Sequence, residues 1–169
     1  MHGRLSPMSI ELSIRPGRQD DVDGLARVRV DYAAFHARLD SEIFRELELE
    51  AVRAALHDRL ALSGDEVLVA EADGEVVGFV EVRLEQPAGP ANIHRDNLYG
   101  YVEDVAVLAA HRGRGFGRAL MLAAEDWARA KGASAMLLDT HPRNTAAVGF
   151  YREALGYTTT GLTLLKLLE

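Results

Sequence analysis

The chain has 169 residues, of which 48% are hydrophobic and 27% charged, with a formal net charge of -7 and no cysteine. This balance fits one folded domain and excludes a disordered chain, a disulfide framework and a zinc site built on thiolates. The acidic composition argues against a general nucleic-acid binder. Neither a signal peptide nor a membrane-spanning run is visible, so we expect a cytoplasmic protein without nucleic-acid or membrane partners.

The first part of the chain predicts one strand and two helices. After a flexible tail over residues 1–9, apolar and polar residues alternate over residues 10–14, as in a half-buried strand. Apolar residues then recur every three or four positions over residues 20–39 and again over residues 46–62, as in helices that bury one face.

Three strands and a long loop follow. Asp73-Gly74 separates two apolar runs over residues 66–84, and this dipeptide is typical of a tight turn between antiparallel strands. A loop rich in proline and glycine covers residues 85–97, and a further strand covers residues 99–108.

The last part predicts a helix over residues 115–131, a short strand over 135–140, a helix over 144–155 and a hairpin over 157–168. The whole pattern is that of a single α/β domain over residues 10–169. We expect a mixed twisted sheet of about seven strands flanked by about four helices.

Residues 111–118, HRGRGFGR, concentrate three arginines and three glycines between a strand and a helix. The first N–H groups of a helix lack partners and carry the positive end of the helix dipole, so such a turn attracts anions. The glycines let a phosphate approach the backbone, and the arginines supply charge-assisted donors that suit a pyrophosphate. These residues are Arg112, Gly113, Arg114, Gly115, Gly117 and Arg118.

Other interpretations of this turn fit less well. A nucleotide-hydrolysing P-loop needs Lys and then Ser or Thr after its glycines, and neither follows here. A Rossmann site lacks its third glycine, since Leu120 stands three residues after Gly117. Arginine-glycine segments that bind RNA are long and repetitive. A further alternative is a plain turn whose arginines are only solvated. It would explain any one of these six residues, but it explains less well why all six occur together.

The turn resembles the R-x-x-G-x-G pyrophosphate motif of the GNAT superfamily of acetyl-CoA-dependent N-acetyltransferases. A second stretch, NTAAVGFYREALGY over residues 144–157, is similar to the motif that follows in that family. The order of predicted elements is also the family's, so the resemblance covers about residues 10–168.

The resemblance implies that the fourth and fifth strands splay apart around acetyl-CoA. The backbone of the turn would hold the pyrophosphate, the preceding strand would pair with the pantetheine arm, and the asparagine of the second motif would bond to that arm. The implied cofactor-binding residues are Val105, Val107, Arg112, Gly113, Arg114, Gly115, Phe116, Gly117, Arg118 and Asn144.

Acetyl transfer to an amine needs a base, because only about one unperturbed alkylamine in 10³ is neutral at pH 7. Strand alternation predicts Glu103 on one face with Val105 and Val107, and Asp104 on the other with Val102, so only one carboxylate would face the site. The Glu-Asp pair resembles the polyamine-acetylating branch of the family, which favours Glu103 as the catalytic base. Water or Asp104 is the alternative, and Glu103 could instead be a solvated or salt-bridged strand residue.

Asn144 and Tyr151 are seven residues apart, or two helical turns, which predicts that they share one helix face. Tyr151 is therefore the candidate catalytic acid that protonates the departing thiolate, and Asn144 would cap the helix or bind pantetheine. An aromatic core role is the alternative for Tyr151.

In this family the first helices and the loop before the fourth strand build the acceptor pocket, and here both are acidic. We expect a small cationic amine, such as a polyamine or an aminoglycoside, with a peptide amine as second choice. A catalytically silent CoA-binding sensor is the alternative from another class, against which Glu103 and Tyr151 argue. The acids concerned are Asp40, Glu42, Glu46, Glu85 and Asp96.

The histidines have no spacing typical of metal ligands, so we expect no metal. They are His36, His57, His94 and His141. Members of the family often form dimers, which makes a homodimer an expectation from the resemblance alone.

Overall fold

The computed structural model describes residues 12–61, 66–86, 97–161 and 164–166. The chain divides into two compact units, Met1–Asp139 and Thr140–Glu169, and each is described by itself. The predicted tail over residues 1–9 lies outside the described residues, as does most of the loop predicted over residues 85–97.

The first unit is built on a mixed sheet of five strands in the order β1-β2-β3-β4-β5. Strands β1 to β4 are antiparallel neighbours, and β5 is parallel to β4. The turn between β2 and β3 has φ of 51° at Asp73 and 83° at Gly74, which confirms the predicted tight hairpin. The strands are β1 Leu12–Pro16, β2 Glu66–Ala72, β3 Glu75–Glu85, β4 Tyr99–Val107 and β5 Ala135–Leu138.

Helices α1 (Val22–Leu39) and α2 (Leu49–Arg59) cover one face of this sheet, and α3 (Phe116–Ala130) covers the other. The apolar stripes of α1 and α2 pack with Phe79 of β3, whereas the preceding residue of β3, Gly78, faces α3. The three helices lie close to their predicted positions because their apolar residues repeat at the helical period.

Strand β4 contains a β-bulge at Glu103. Glu81 of β3 pairs with Asp104 and Val82 pairs with Val102, so Glu103 is the extra residue between them. Paired residues point to the same face of a sheet and successive residues of β3 to opposite faces, so Val102 and Asp104 lie on opposite faces. The prediction that Asp104 shares a face with Val102 is therefore wrong, because the bulge shifts the alternation by one residue.

The C-terminal unit contains α4 (Thr145–Gly149), which continues into a π-helical turn at Phe150–Ala154. Residues 157–161 and 164–166 lie outside strands, so the hairpin predicted over residues 157–168 is absent from its described part. A two-stranded hairpin without further partners is marginal in water. The described sheet therefore has five strands and not the seven that we predicted.

Among the described residues, no helix combines the length and the apolar character that crossing a lipid bilayer would need.

Candidate functional site

The glycine-rich turn leads from β4 into the N-terminus of α3. Gly113 and Gly115 have left-handed backbones, with φ of 73° and 86°, and a Cβ on either would meet no atom within 4 Å. Glycine is therefore required at both positions for backbone conformation and not for space. Phe116, which begins the helix, is 3% exposed and packs edge-on against the ring of His111, which anchors the turn.

The backbone N–H groups of this turn are left open. From Gly113 to Arg118 they find no backbone acceptor among the described residues, and the helical ladder begins where Ala119 N donates to the Gly115 carbonyl at 2.9 Å. Unpaired N–H groups and the positive end of the helix dipole together make a site for an anion.

The three arginines of the turn have different surroundings. Arg112 Nε donates to the Val107 carbonyl at 2.9 Å, and its Nη2 donates to Asp31 of α1 at 3.2 Å. Arg114 and Arg118 are exposed and make no ion pair with another described residue. Two guanidinium groups are thus available to an anion at the turn, while the third ties the turn to α1.

Strands β4 and β5 separate next to the bulge. Their pairing runs from Tyr99 opposite Ala135 to Val102 opposite Leu138, where β5 ends. Strand β4 continues to Val107, and no described strand pairs with this edge of it beyond Val102. Val105 and Val107 therefore lie in a stretch of β4 with one open edge.

Asp104 is held by side chains of α1. Tyr32 Oη donates to its Oδ1 at 2.7 Å, and Arg29 Nη2 lies 3.0 Å from its Oδ2. Arg29 also donates to Glu81 at 2.9 Å, and Arg59 of α2 forms a second ion pair with that carboxylate, which is 3% exposed. Two arginines thus compensate two acids, and Asp104 is a structural partner of α1.

Glu103 is exposed and lies among other polar side chains where β4 and β5 separate. Its carboxylate accepts a hydrogen bond from Arg83 Nε, which raises the pKa of Arg83. The Arg83 guanidinium also lies 4.6 Å from the ring of Tyr101. Tyr101 Oη donates to Asp139 at 2.6 Å, and this hydrogen bond, followed by burial, raises the pKa of Tyr101 to about 12. The sequence predicted a role for Glu103, which stays a prediction, and did not indicate these neighbours, because only the pairing of the strands brings them together.

Asn144 and Tyr151 belong to the C-terminal unit. Asn144 Oδ1 accepts from the Ala147 N–H at 3.2 Å, so it caps α4 as the sequence allowed. The half-buried Tyr151 has its ring 5.3 Å from that of Phe150 and 6.0 Å from that of Tyr157. The predicted common face of Asn144 and Tyr151 assumes α-helical geometry between the two residues. The α-helix ends at Gly149, and a π-helical turn follows it.

A cavity of about 230 Å³ opens between α1 and the segment that follows it. The ring of His36 forms part of its wall, tilted against the ring of Tyr32 with the centroids 4.2 Å apart and edge-on to that of Phe44 with the centroids 5.1 Å apart. The residues that line it are Arg29, Tyr32, Ala33, His36, Ile43, Phe44, Arg45 and Leu47.

The acids expected at the acceptor pocket do not line this cavity. Asp40 Oδ1 accepts from the Glu42 N–H at 3.2 Å, and Glu85 pairs with Arg83 at 2.9 Å. Glu42 and Glu46 are exposed, and Asp96 lies outside the described residues.

Within the described ranges, no three histidine, aspartate or glutamate side chains form a group that could hold a metal. His36 Nδ1 lies 3.0 Å from the Tyr32 carbonyl, and His141 Nδ1 accepts from the Arg143 N–H. His94 lies outside the described residues. The absence of a metal remains a prediction.

Known proteins share this fold and sequence pattern. The aminoglycoside N(6')-acetyltransferase type 1 of Stenotrophomonas maltophilia is 33% identical over 112 residues, which are 66% of this chain and 69% of that one. The BH1408 protein of Bacillus halodurans superposes with a TM-score of 0.83 at 25% identity, covering 92% of this chain and 99% of that one. The aminoglycoside N-acetyltransferase AAC(6')-Iy in complex with CoA, at 22% identity, has a TM-score of 0.73 over 97% of this chain and 99% of that one.

Other relatives are longer proteins. The chain spans 43% of the streptothricin acetyltransferase of Streptomyces lavendulae and 38% of the mycothiol acetyltransferase of Renibacterium salmoninarum. The model of the acetyltransferase (GNAT) family matches residues 33–157, which include both motifs. The resemblance is therefore confirmed, and the chain belongs to the acetyltransferase (GNAT) family.

Proposed function

We propose that the chain transfers the acetyl group of acetyl-CoA to the primary amino group of a small cationic amine, by direct attack in a ternary complex. The observation that carries the proposal is the row of open N–H groups from Gly113 to Arg118 at the start of α3. Family membership supports the reaction class, and the similar AAC(6')-Iy fold was solved with CoA bound.

The residues of the turn fit a diphosphate. Its N–H groups have no other acceptor among the described residues, the space above Gly113 and Gly115 is open, and Arg114 and Arg118 supply positive charge. The open edge of β4 around Val105 would hold the pantetheine arm, with Asn144 as a further partner. Acetyl-CoA, when bound, supplies the thioester carbonyl that the amine attacks.

Glu103 is the base of this proposal. Its side chain is 37% exposed at the bulge, on the side of β4 where Arg83 lies, so an ammonium group can reach it from solvent. Asp104 is the weaker candidate because Arg29 and Tyr32 already occupy its oxygens. The exposed carboxylates of Glu103 and Asp139 and the net charge of -7 also favour a cationic ammonium group at this place.

Tyr151 is the acid of this proposal. A phenol with a pKa of about 10 can protonate a thiolate, whose thiol has a pKa of about 8.5, while negative charge develops on the sulfur. The second family motif supports this role, since Phe150 and Tyr151 stand where that motif has its aromatic pair.

The test combines binding with turnover. Calorimetry with acetyl-CoA should show saturable binding, and a panel of primary amines incubated with acetyl-CoA should show at least one that gains the mass of one acetyl group. Absence of acetyl-CoA binding to the folded chain would overturn the proposal. Binding without transfer to any amine would favour the silent CoA-binding sensor instead. The cytoplasmic location and the homodimer stay predictions.

A further inference from the structure

We propose that the acceptor combines its amine with an anionic group, a carboxylate, phosphate or phosphonate, which binds in the cavity beside α1 with Arg45 as its partner. This inference rests on the proposed function and narrows its acceptor: the cationic amine stays at Glu103, and the other end of the same molecule is anionic, which excludes a polyamine. It starts from the charges of the cavity wall, where Arg29, His36 and Arg45 are present and no carboxylate is.

The positive charge of Arg29 is already compensated. Its guanidinium pairs with Glu81 and with Asp104, at 2.9 Å and 3.0 Å, and Glu81 also pairs with Arg59. These two arginines and two carboxylates form a neutral cluster below the cavity. Arg29 therefore forms part of the cavity wall but exerts little electrostatic attraction on a further anion.

Arg45 differs from Arg29 because it makes no ion pair with another described residue. Its side chain is exposed at the cavity, where it can turn toward a bound molecule without losing a partner. A guanidinium presents a planar fork of N–H donors that matches the oxygens of a carboxylate or a phosphate. The chemistry of the cavity thus selects an anion.

The remaining lining defines the size of the ligand. The rings of Tyr32, His36 and Phe44, in tilted and edge-on contact, offer apolar surface to a short carbon chain. The cavity volume of about 230 Å³ is below the roughly 300–1,000 Å³ of pockets that enclose drug-sized ligands. It therefore fits one end of a small acceptor and not an entire oligosaccharide.

Tyr32 lies between the cavity and the part of β4 that carries the proposed base. This side chain lines the cavity, and its hydroxyl lies 2.7 Å from Asp104, the residue next to Glu103. An anion beside Arg45 would leave the amine, at the other end of a short chain, near Glu103. The two ends of such a molecule meet charges of opposite sign.

The test compares acceptors that share a primary amine on a two-carbon chain: aminoethylphosphonate, β-alanine, ethanolamine and diaminoethane. We expect kcat/KM for the better anionic acceptor to exceed that for ethanolamine by about tenfold or more, mainly through KM, as for other charged hydrogen bonds. The phosphonate and β-alanine arms show which anion is preferred. Arg45→Gln should remove the preference, and Arg45→Glu should reverse it toward diaminoethane.

Arg27→Gln is the matched control, since Arg27 is an exposed arginine of α1 outside the cavity lining, and it should keep the preference. Fastest turnover of diaminoethane by the parent chain, or an unchanged preference in Arg45→Gln, would overturn the anion site and leave acetyl transfer intact. Failure of every amine would count against the proposed function. In that case the anion site is tested by calorimetry of aminoethylphosphonate with the chain alone. Binding heat that is lost in Arg45→Gln supports the site, and the absence of binding heat in the parent chain overturns it.

Discussion

Arg112 Nη2 lies 3.2 Å from Asp31 Oδ2, so the first arginine of the glycine-rich turn is bound to helix α1. The Arg112 guanidinium also lies 5.6 Å from the ring of Phe35, and its Nε donates to the Val107 carbonyl. The sequence suggested a direct phosphate contact for this side chain. That contact stays a prediction, and from the contacts in the structure we infer that Arg112 also has a positioning role, in which it fixes the turn relative to α1 and β4.

Asp31→Asn should therefore weaken acetyl-CoA binding although Asp31 lies far along the chain from the turn. The pair is exposed on both sides, at 46% and 37%, so its loss costs at most about 1 kcal/mol, or about a fivefold rise in the acetyl-CoA Kd measured by calorimetry. Asp126→Asn, which breaks the exposed pair with Arg129 on α3, should leave the Kd unchanged. An unaltered Kd in Asp31→Asn would contradict the positioning role.

Gly115→Ala should destabilise the fold and weaken acetyl-CoA binding, whereas Gly74→Ala should do only the first. Both glycines have φ near +85° and open surroundings, so alanine costs each about 1–2 kcal/mol of backbone strain. Urea unfolding should show similar losses. Only Gly115 borders the open N–H groups, so only its variant should raise the acetyl-CoA Kd, by about tenfold. Equal Kd values in the two variants would exclude the turn as the diphosphate site.

The sequence predicted those elements whose signal is local. The helical period of the apolar residues predicted α1 to α3, and Asp73-Gly74 predicted the hairpin. Both signals depend only on residues that are close together in the chain. The bulge at Glu103 depends on how β4 pairs with β3, and simple alternation could not reveal it. The cluster around Asp104 likewise joins residues from two helices and two strands that share no motif.

Glu103→Gln should lower kcat by about 10²-fold and change its dependence on pH, because the amide cannot accept the proton of the amine. Acetyl-CoA affinity should stay the same, since Glu103 is placed on the acceptor side. Glu75→Gln, an exposed glutamate at the start of β3, is the control and should match the parent chain. A pH profile that superimposes on the parent's would transfer the base role to water or to Asp104.

Tyr151→Phe keeps the ring that packs near Phe150 and Tyr157 and removes only the hydroxyl. If this hydroxyl protonates the thiolate, kcat should fall by about 10² to 10⁴ with little change in the acetyl-CoA Kd. Tyr157→Phe is the matched control in the same unit and should retain most activity. Unchanged turnover of Tyr151→Phe in steady-state assays would leave this tyrosine only a packing role.

Tyr101 should ionise near pH 12, well above the range of an unperturbed tyrosine. Its hydrogen bond to Asp139 favours the neutral phenol and raises the pKa to about 12, from an ordinary value of about 10. A pKa raised in the folded state stabilises the fold fully below about pH 10, and this contribution is lost as the pH rises from about 10 to 12. Phenolate absorbance should show the late transition in the parent chain and in Tyr99→Phe, and lose it in Tyr101→Phe. Asp139→Asn should move it toward pH 10, because the carboxylate charge no longer opposes ionisation, and a transition that stays near 12 in that variant would assign the shift to burial alone.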